Sequence, residues 1–207
     1  MSEPSQDQEN TSTSGDLIIA IPTHDRRAVV QSLLELGKVS QVLGRRMQFS
    51  VSEGSNIPRS RNTVIEQLQY QYPDQATKWV LWLDSDMVVF PESETIIADA
   101  ILWAEANHVA VTGNYRMNTG ENVLLATRGP DPPAHHYTDA ELEALPRPYP
   151  SVALAGFGFL YLEQPLSYRF HADTVGEDIH FWWDHPNIRL HWIVDLHLGH
   201  HKAVLLR

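Results

Sequence analysis

From residue 16 onward the chain alternates between short apolar runs and stretches with helical spacing. "DLIIAIPTHD" reads as a buried strand broken by Pro22, with polar residues at its C-terminal end. "RAVVQSLLELGKVSQVLG" places Val29, Leu33, Leu34 and Leu36 at helical spacing, with Gly37 as a stop. "MQFSVSEG" alternates as a strand does. "SNIPRSRNTVIEQLQYQY" is a loop opening into a helix whose register is carried by Val64, Ile65 and Leu68. "KWVLWLD" predicts a central strand, "SETIIADAILWAEAN" a helix with Ser93 as its cap, and "HVAVTGNY" another strand.

This β-α-β-α-β-α-β order favours an open, mainly parallel α/β sheet. Ligands in such sheets bind at the C-terminal strand ends, where His24-Asp25, Asp84-Ser85-Asp86 and Asn114-Tyr115 emerge. The pattern then changes. "RGPDPPAHHYTDAELEALPRPYP" is rich in proline, predicting a long loop or lid at about 129–150 with one short helix from Thr138. "SVALAGFGFLYLE" returns to strand, "VGEDIHFWWDHP" opens a helix, and "IRLHWIVDLHLGHHK" is a strand running into a histidine cluster. Residues 1–15 are polar and read as a flexible tail, which leaves one domain over 16–207 with no internal repeat.

Composition narrows the classes. With 207 residues, 43% of them hydrophobic, and six tryptophans, the chain can bury a sizeable core. A net charge of −11 argues against the phosphate-neutralising surface of a general nucleic-acid binder. The absence of cysteine removes disulfides and thiolate metal sites. No apolar run reaches the ~18–20 residues of a membrane span, and the N-terminus lacks a signal-peptide layout. A soluble cytoplasmic protein is the default.

Chemistry concentrates in "VLWLDSDMVV". In a strand, Asp84 and Asp86 would share one face, with α-carbons ~6.5–7 Å apart. Two such carboxylates repel unless a positive charge sits between them, and oxygen ligands of this kind suit Mg²⁺ or Mn²⁺. An acidic loop tip solvated by water has the same sequence. His197, His200 and His201 follow an apolar strand and can join a Mn²⁺ site, although among eleven histidines some cluster by chance. Glu177 and Asp178 offer a general base or simply complement a helix dipole. Arg59, Arg61 and Asn62, at the mouth of a helix, suit a diphosphate or a base, or are surface residues. Gly156 and Gly158 flank Phe157 in a strand, permitting close approach of a ligand or marking a bulge.

Taken in order, "IPTHDR", "PRSRN", "WVLWLDSDM", "AGFGFLYLE", "GEDIHFW" and "VDLHLGHHK" resemble a small GT-A glycosyltransferase. The nearest character is that of the compact family 2-like enzymes of bacteria and bacteriophages, and the likeness spans about residues 16–202. It implies a single GT-A, Rossmann-like domain with a mostly parallel sheet flanked by helices. It also implies a hydroxyl acceptor, a UDP- or GDP-sugar donor and a Mn²⁺ or Mg²⁺ cofactor. Pro22, Thr23 and Asp25 would line the base pocket, and Arg59, Arg61 or Asn62 would contact base or diphosphate. Asp84 would lie near ribose and metal, with Ser85 in the same donor pocket, and Asp86 would bind the metal directly. Gly156-Phe157-Gly158 corresponds to the acceptor-side strand. Asp178, beside Glu177, would be the catalytic base of an inverting enzyme, and His200 or His197 would complete the metal site. Trp182 and Trp183 either stack on an acceptor sugar or belong to the core.

Two rivals share these features. A haloacid dehalogenase-like phosphatase would use Asp84 as nucleophile, but it needs a lysine beyond that strand, and the chain has only Lys38, Lys78 and Lys202. A non-catalytic nucleotide-sugar or glycan-binding module would keep the fold without the chemistry. A nucleotidyltransferase is disfavoured, because "PTHDRR" lacks the glycines of a phosphate loop.

Overall fold

The computed structural model describes residues 15–23, 27–117, 119–128, 134–171 and 176–200. The first strand, β1 (Leu17–Thr23), is buried along its whole length and is not broken at Pro22, which stays in register opposite Ser52 of β2 (Met47–Glu53). On its other side β1 pairs with β3 (Thr77–Leu83) only at Ile19 and Ala20, so the proline that lacks an N–H lies beyond that ladder.

Between them, α1 (Val30–Leu43) continues through Gly37 and ends at Gly44, whose φ of 64° is left-handed. There the Gly44 and Arg45 amides donate to Gln41 and Ser40, closing the last turn. Helix α2 (Ile57–Gln71) starts at Asn56, whose side chain accepts from the Arg59 amide, and buries Val64, Ile65 and Leu68 as their spacing predicts. Ser93 occupies the cap position of α3 (Glu94–Asn107) but makes no side-chain cap bond. Thr138 does, in a full capping box that opens the short α4 (Asp139–Glu143).

The remaining strands are β4 (Met87–Val89), β5 (Ala110–Asn114), β6 (Ser151–Val152), β7 (Phe159–Pro165) and β8 (Leu190–His200), with α5 (Glu177–Asp184) before β8. The run 151–163 is therefore two strands separated by a connecting stretch that contains the glycines. The sheet order is β2-β1-β3-β7-β5-β8-β4, with β6 also pairing β8. β1, β2, β3, β5 and β8 run one way, and β4, β6 and β7 run against them, so the sheet is mixed but mostly parallel in strand direction. This is a single α/β domain, consistent with the GT-A arrangement that the sequence resemblance implies.

Helix α2 packs on β1 and β2, while α1 and α3 pack together and α3 lies along β5, β7 and β8. The core between them holds Ile19, Leu36, Ile65, Leu81, Trp82, Ile101 and Leu160, all at most 1% exposed. The described part of the proline-rich segment is tied down: the Ala126 amide donates to the His135 carbonyl, the Tyr137 amide to the Leu124 carbonyl, and the Trp192 amide to the Pro150 carbonyl. No helix among the described residues is long and apolar enough to cross a membrane.

Candidate active site

β3 ends at Leu83, and residues 84–86 form a tight turn in which the Met87 amide donates to the Asp84 carbonyl at 3.0 Å. The two aspartates are thus not on one strand face. The turn exists because Met87 and Val89, both fully buried, leave the β3 plane to pair with the end of β8 as β4. Ser32 of α1 seals that edge, donating to the Met87 carbonyl at 2.7 Å and accepting from the Val89 amide at 2.9 Å. The register sets Met87 opposite His200, and His200 Nε2 lies 3.2 Å from Asp86 Oδ1. Asp84 turns the other way.

There it meets Arg61, which the sequence pattern assigned to base or diphosphate. Arg61 rises from the first turns of α2 with its side chain only 2% exposed. Its Nη2 lies 3.4 Å from Asp84 Oδ1, and its Nη1 lies 2.9 Å from Glu177 Oε1 and bonds Asp178 Oδ1. The guanidinium also sits over the Phe157 ring, 4.8 Å from its centroid, and 5.6 Å from that of Phe170. Burial opposes its charge, but Asp178, Asp84 and Glu177 together hold it far above even its usual range. Burial likewise pushes Asp84 up, with Asp178 and Asp86 adding to the rise and Arg61 opposing it. Glu177 is raised by burial and by Asp178, again against Arg61. The positive charge among the carboxylates is supplied by the chain itself.

The segment 156–158 ties these groups together. The Phe157 amide donates to Asp178 Oδ2 at 3.3 Å, the Gly158 amide to the Tyr115 hydroxyl at 3.1 Å, and the Asp84 amide to the Gly158 carbonyl at 2.9 Å. Both glycines make room. A Cβ on Gly156 would come within 2.9 Å of the Tyr115 hydroxyl and 3.2 Å of Asp178 Oδ2, and one on Gly158 would overlap the Tyr115 ring. Tyr115 therefore stands at the centre of the site, its ring centroid 5.5 Å from that of His200. Its phenol is raised well above the usual value by burial and then by Asp84 and Asp178. Sequence reasoning brought Tyr115 to a strand end and gave it no role. The signal that singles it out is the pair of small residues that accommodate it.

Other expected residues fall elsewhere. Thr23 lines a slot of about 310 Å³ with Ile21, Arg27, Leu33, Phe49 and Val51, at the C-terminal end of β1. Pro22 is buried within β1, and Ser85 is half-buried in the turn. Arg59 is exposed and borders a separate cleft of about 490 Å³. Asn62 clamps the backbone of Phe170, accepting from its amide at 2.7 Å and donating to its carbonyl at 3.0 Å. His197 is exposed, and three residues along an extended strand it faces away from His200. Trp182 is core, with Nε1 donating to the Ala155 carbonyl at 2.7 Å, while Trp183 is half-buried. His24, Asp25, His201 and Lys202 lie outside the described residues.

Among the described residues, no group of three or more His, Asp or Glu side chains is arranged to hold a metal ion. The Asp86–His200 pair nonetheless suits two neighbouring ligands. Bonds of about 2.1 Å at right angles put donor atoms about 3 Å apart, close to the 3.2 Å observed. The carboxylate oxygen suits Mn²⁺ or Mg²⁺, and the imidazole can join it on Mn²⁺. The most capacious cavity among those described, about 680 Å³, lies at the opposite strand ends, beside Thr77, Lys78 and Trp79. Arg45 and Glu105 in its wall are paired with each other through two contacts of 2.6 Å.

No family model matches the chain, and no curated protein matches it. Among solved structures, the chain is similar to one described as a glycosyltransferase involved in the glycosylation of the major capsid of PBCV-1. That likeness has a TM-score of 0.47 and 16% sequence identity, and it covers 90% of this chain and 93% of that one.

Proposed function

We propose that the chain is a metal-dependent glycosyltransferase that moves a sugar from a UDP- or GDP-linked donor to a hydroxyl acceptor. One observation carries this: the Asp84–Asp86 turn, Asp178 of α5 and His200 of β8 come together at one end of the sheet around Tyr115 and Arg61. Such strand ends are where α/β sheets bind ligands. The slot beside Thr23, walled by Phe49 and Val51, offers an apolar bed for the donor's base.

Asp86 and His200 would hold the divalent cation, while Asp84 stays with Arg61. When bound, that cation offsets the charge gathering on the diphosphate oxygens as the sugar leaves. Asp178 takes the acceptor proton as the acceptor oxygen bonds to the anomeric carbon and the bond to the diphosphate breaks. Its Oδ1 is held by Arg61, and its Oδ2 borders the space over Gly156. The phosphatase alternative loses support, because Lys78 sits at the start of β3 and Lys38 pairs with Glu35 on α1.

The test is donor hydrolysis across a panel of nucleotide sugars with Mn²⁺ or Mg²⁺, followed by transfer to hydroxyl acceptors. We expect Asp178→Asn to keep donor affinity and lose transfer by about 10²–10⁴-fold. Undiminished turnover removes Asp178 from the chemistry, and tight donor binding without any turnover by the parent points to a binding module.

A further inference from the structure

We infer that Arg61 is a positioning residue that aims Asp178, and that it does not hold the donor. This rests on the glycosyl-transfer reading above and assigns Arg61 a role within it. A guanidinium that grips a diphosphate must present its N–H groups to the incoming oxygens. The Arg61 N–H groups are either committed or buried: Nη1 serves Asp178 and Glu177, Nη2 faces Asp84, the unpartnered Nε is out of reach of solvent, and the side chain is 2% exposed between Phe157 and Phe170.

Its place is also fixed from behind. On one side of it in the chain the Ser60 carbonyl accepts from Ser52 Oγ at 2.6 Å, and on the other Asn62 bonds both backbone groups of Phe170. The arginine therefore projects from a clamped helix turn, and it fixes one oxygen of Asp178 while the Phe157 amide reaches the other. A carboxylate held at both oxygens has few orientations left. A base misplaced by even about 1 Å loses on the order of 10²-fold in rate.

A kinetic double-mutant cycle on the full chain separates aiming from donor holding. Arg61→Met, Asp178→Asn and the double variant are assayed for kcat and donor KM, with donor affinity measured independently by calorimetry. If Arg61 acts through Asp178, Arg61→Met lowers kcat by about 10²-fold or more, with donor affinity kept within about threefold. The double variant is then no slower than Asp178→Asn alone, because groups that act as a unit do not add. Arg61→Lys recovers part of the loss, since an ammonium keeps the charge but cannot span the same carboxylates.

Losses that multiply in the double variant overturn the inference, as does a tenfold or greater fall in donor affinity with kcat intact. Should Arg61→Met fail to fold, the same cycle with Arg61→Lys decides, and the charge-balanced Arg61→Met/Glu177→Gln pair gives a second background. An inactive parent overturns the functional reading and this inference with it. An active parent with independent losses overturns this inference alone.

Discussion

Gly158→Ala should be costly for a reason that is purely spatial. Gly158 has no left-handed backbone torsion, so any L-residue could adopt its conformation. What forbids a side chain is Tyr115, whose hydroxyl and ring carbons occupy the position a Cβ would take. The buried ring must shift, at about 1–3 kcal/mol for overpacking a filled core. Moving it also breaks the bond from the Gly158 amide, worth about 1 kcal/mol. The sum is about 2–4 kcal/mol, which in a chain of this size lowers Tm by roughly 4–16 °C. Urea and thermal melts of the cation-free protein measure it. Gly37→Ala is the control: nothing lies within 4 Å of a Cβ there, and in a helix interior alanine should stabilise by about 0.5–1 kcal/mol. In a Tyr115→Ala background the added methyl meets no ring, so Gly158→Ala should then cost little. Equal losses in both backgrounds, or none in the parent, would refute the claim that Tyr115 fills this space.

The remaining expectations concern charge. Asp84 and Glu177 are raised in the fold, so the folded state holds their protons more tightly than the unfolded chain. The stability this brings is present below the unfolded carboxylate range near about pH 4 and is lost as pH rises through the raised values. In chelator, Asp84→Asn should therefore gain Tm relative to the parent on going from acid to neutral pH, and a constant difference would contradict this. Mn²⁺ should stabilise the parent by mass action, by about 2.7 kcal/mol at a hundredfold excess over Kd, and so raise its melting point. Asp86→Ala should abolish that rise, and an undiminished rise in the variant would place the ion elsewhere.

Much of this architecture was legible in local patterns. Val64, Ile65 and Leu68 carry the α2 register, α4 starts after Thr138 and α5 starts at Glu177, because hydrophobic spacing and helix-start signals are satisfied within a turn or two of chain. The boundaries that failed were those where a nearby residue offered a plausible stop. Gly37 sits in a helix whose ladder continues to Gly44, and Pro22 sits in a strand that β2 holds in register.

The amino-acid order by itself determined most of the helices and strands, and it set Asp84 and Tyr115 at strand ends. The tertiary structure alone decided that β7 runs antiparallel between β3 and β5, that Met87 and Val89 leave for β8, and that the aspartates beside them part company. It also decided that Arg61 meets Asp178 across 117 residues of chain. The physical reason is range. Spacing and capping are local, whereas strand direction and the partner of a buried charge depend on which distant surfaces close together, and no short window of sequence contains both sides of that contact.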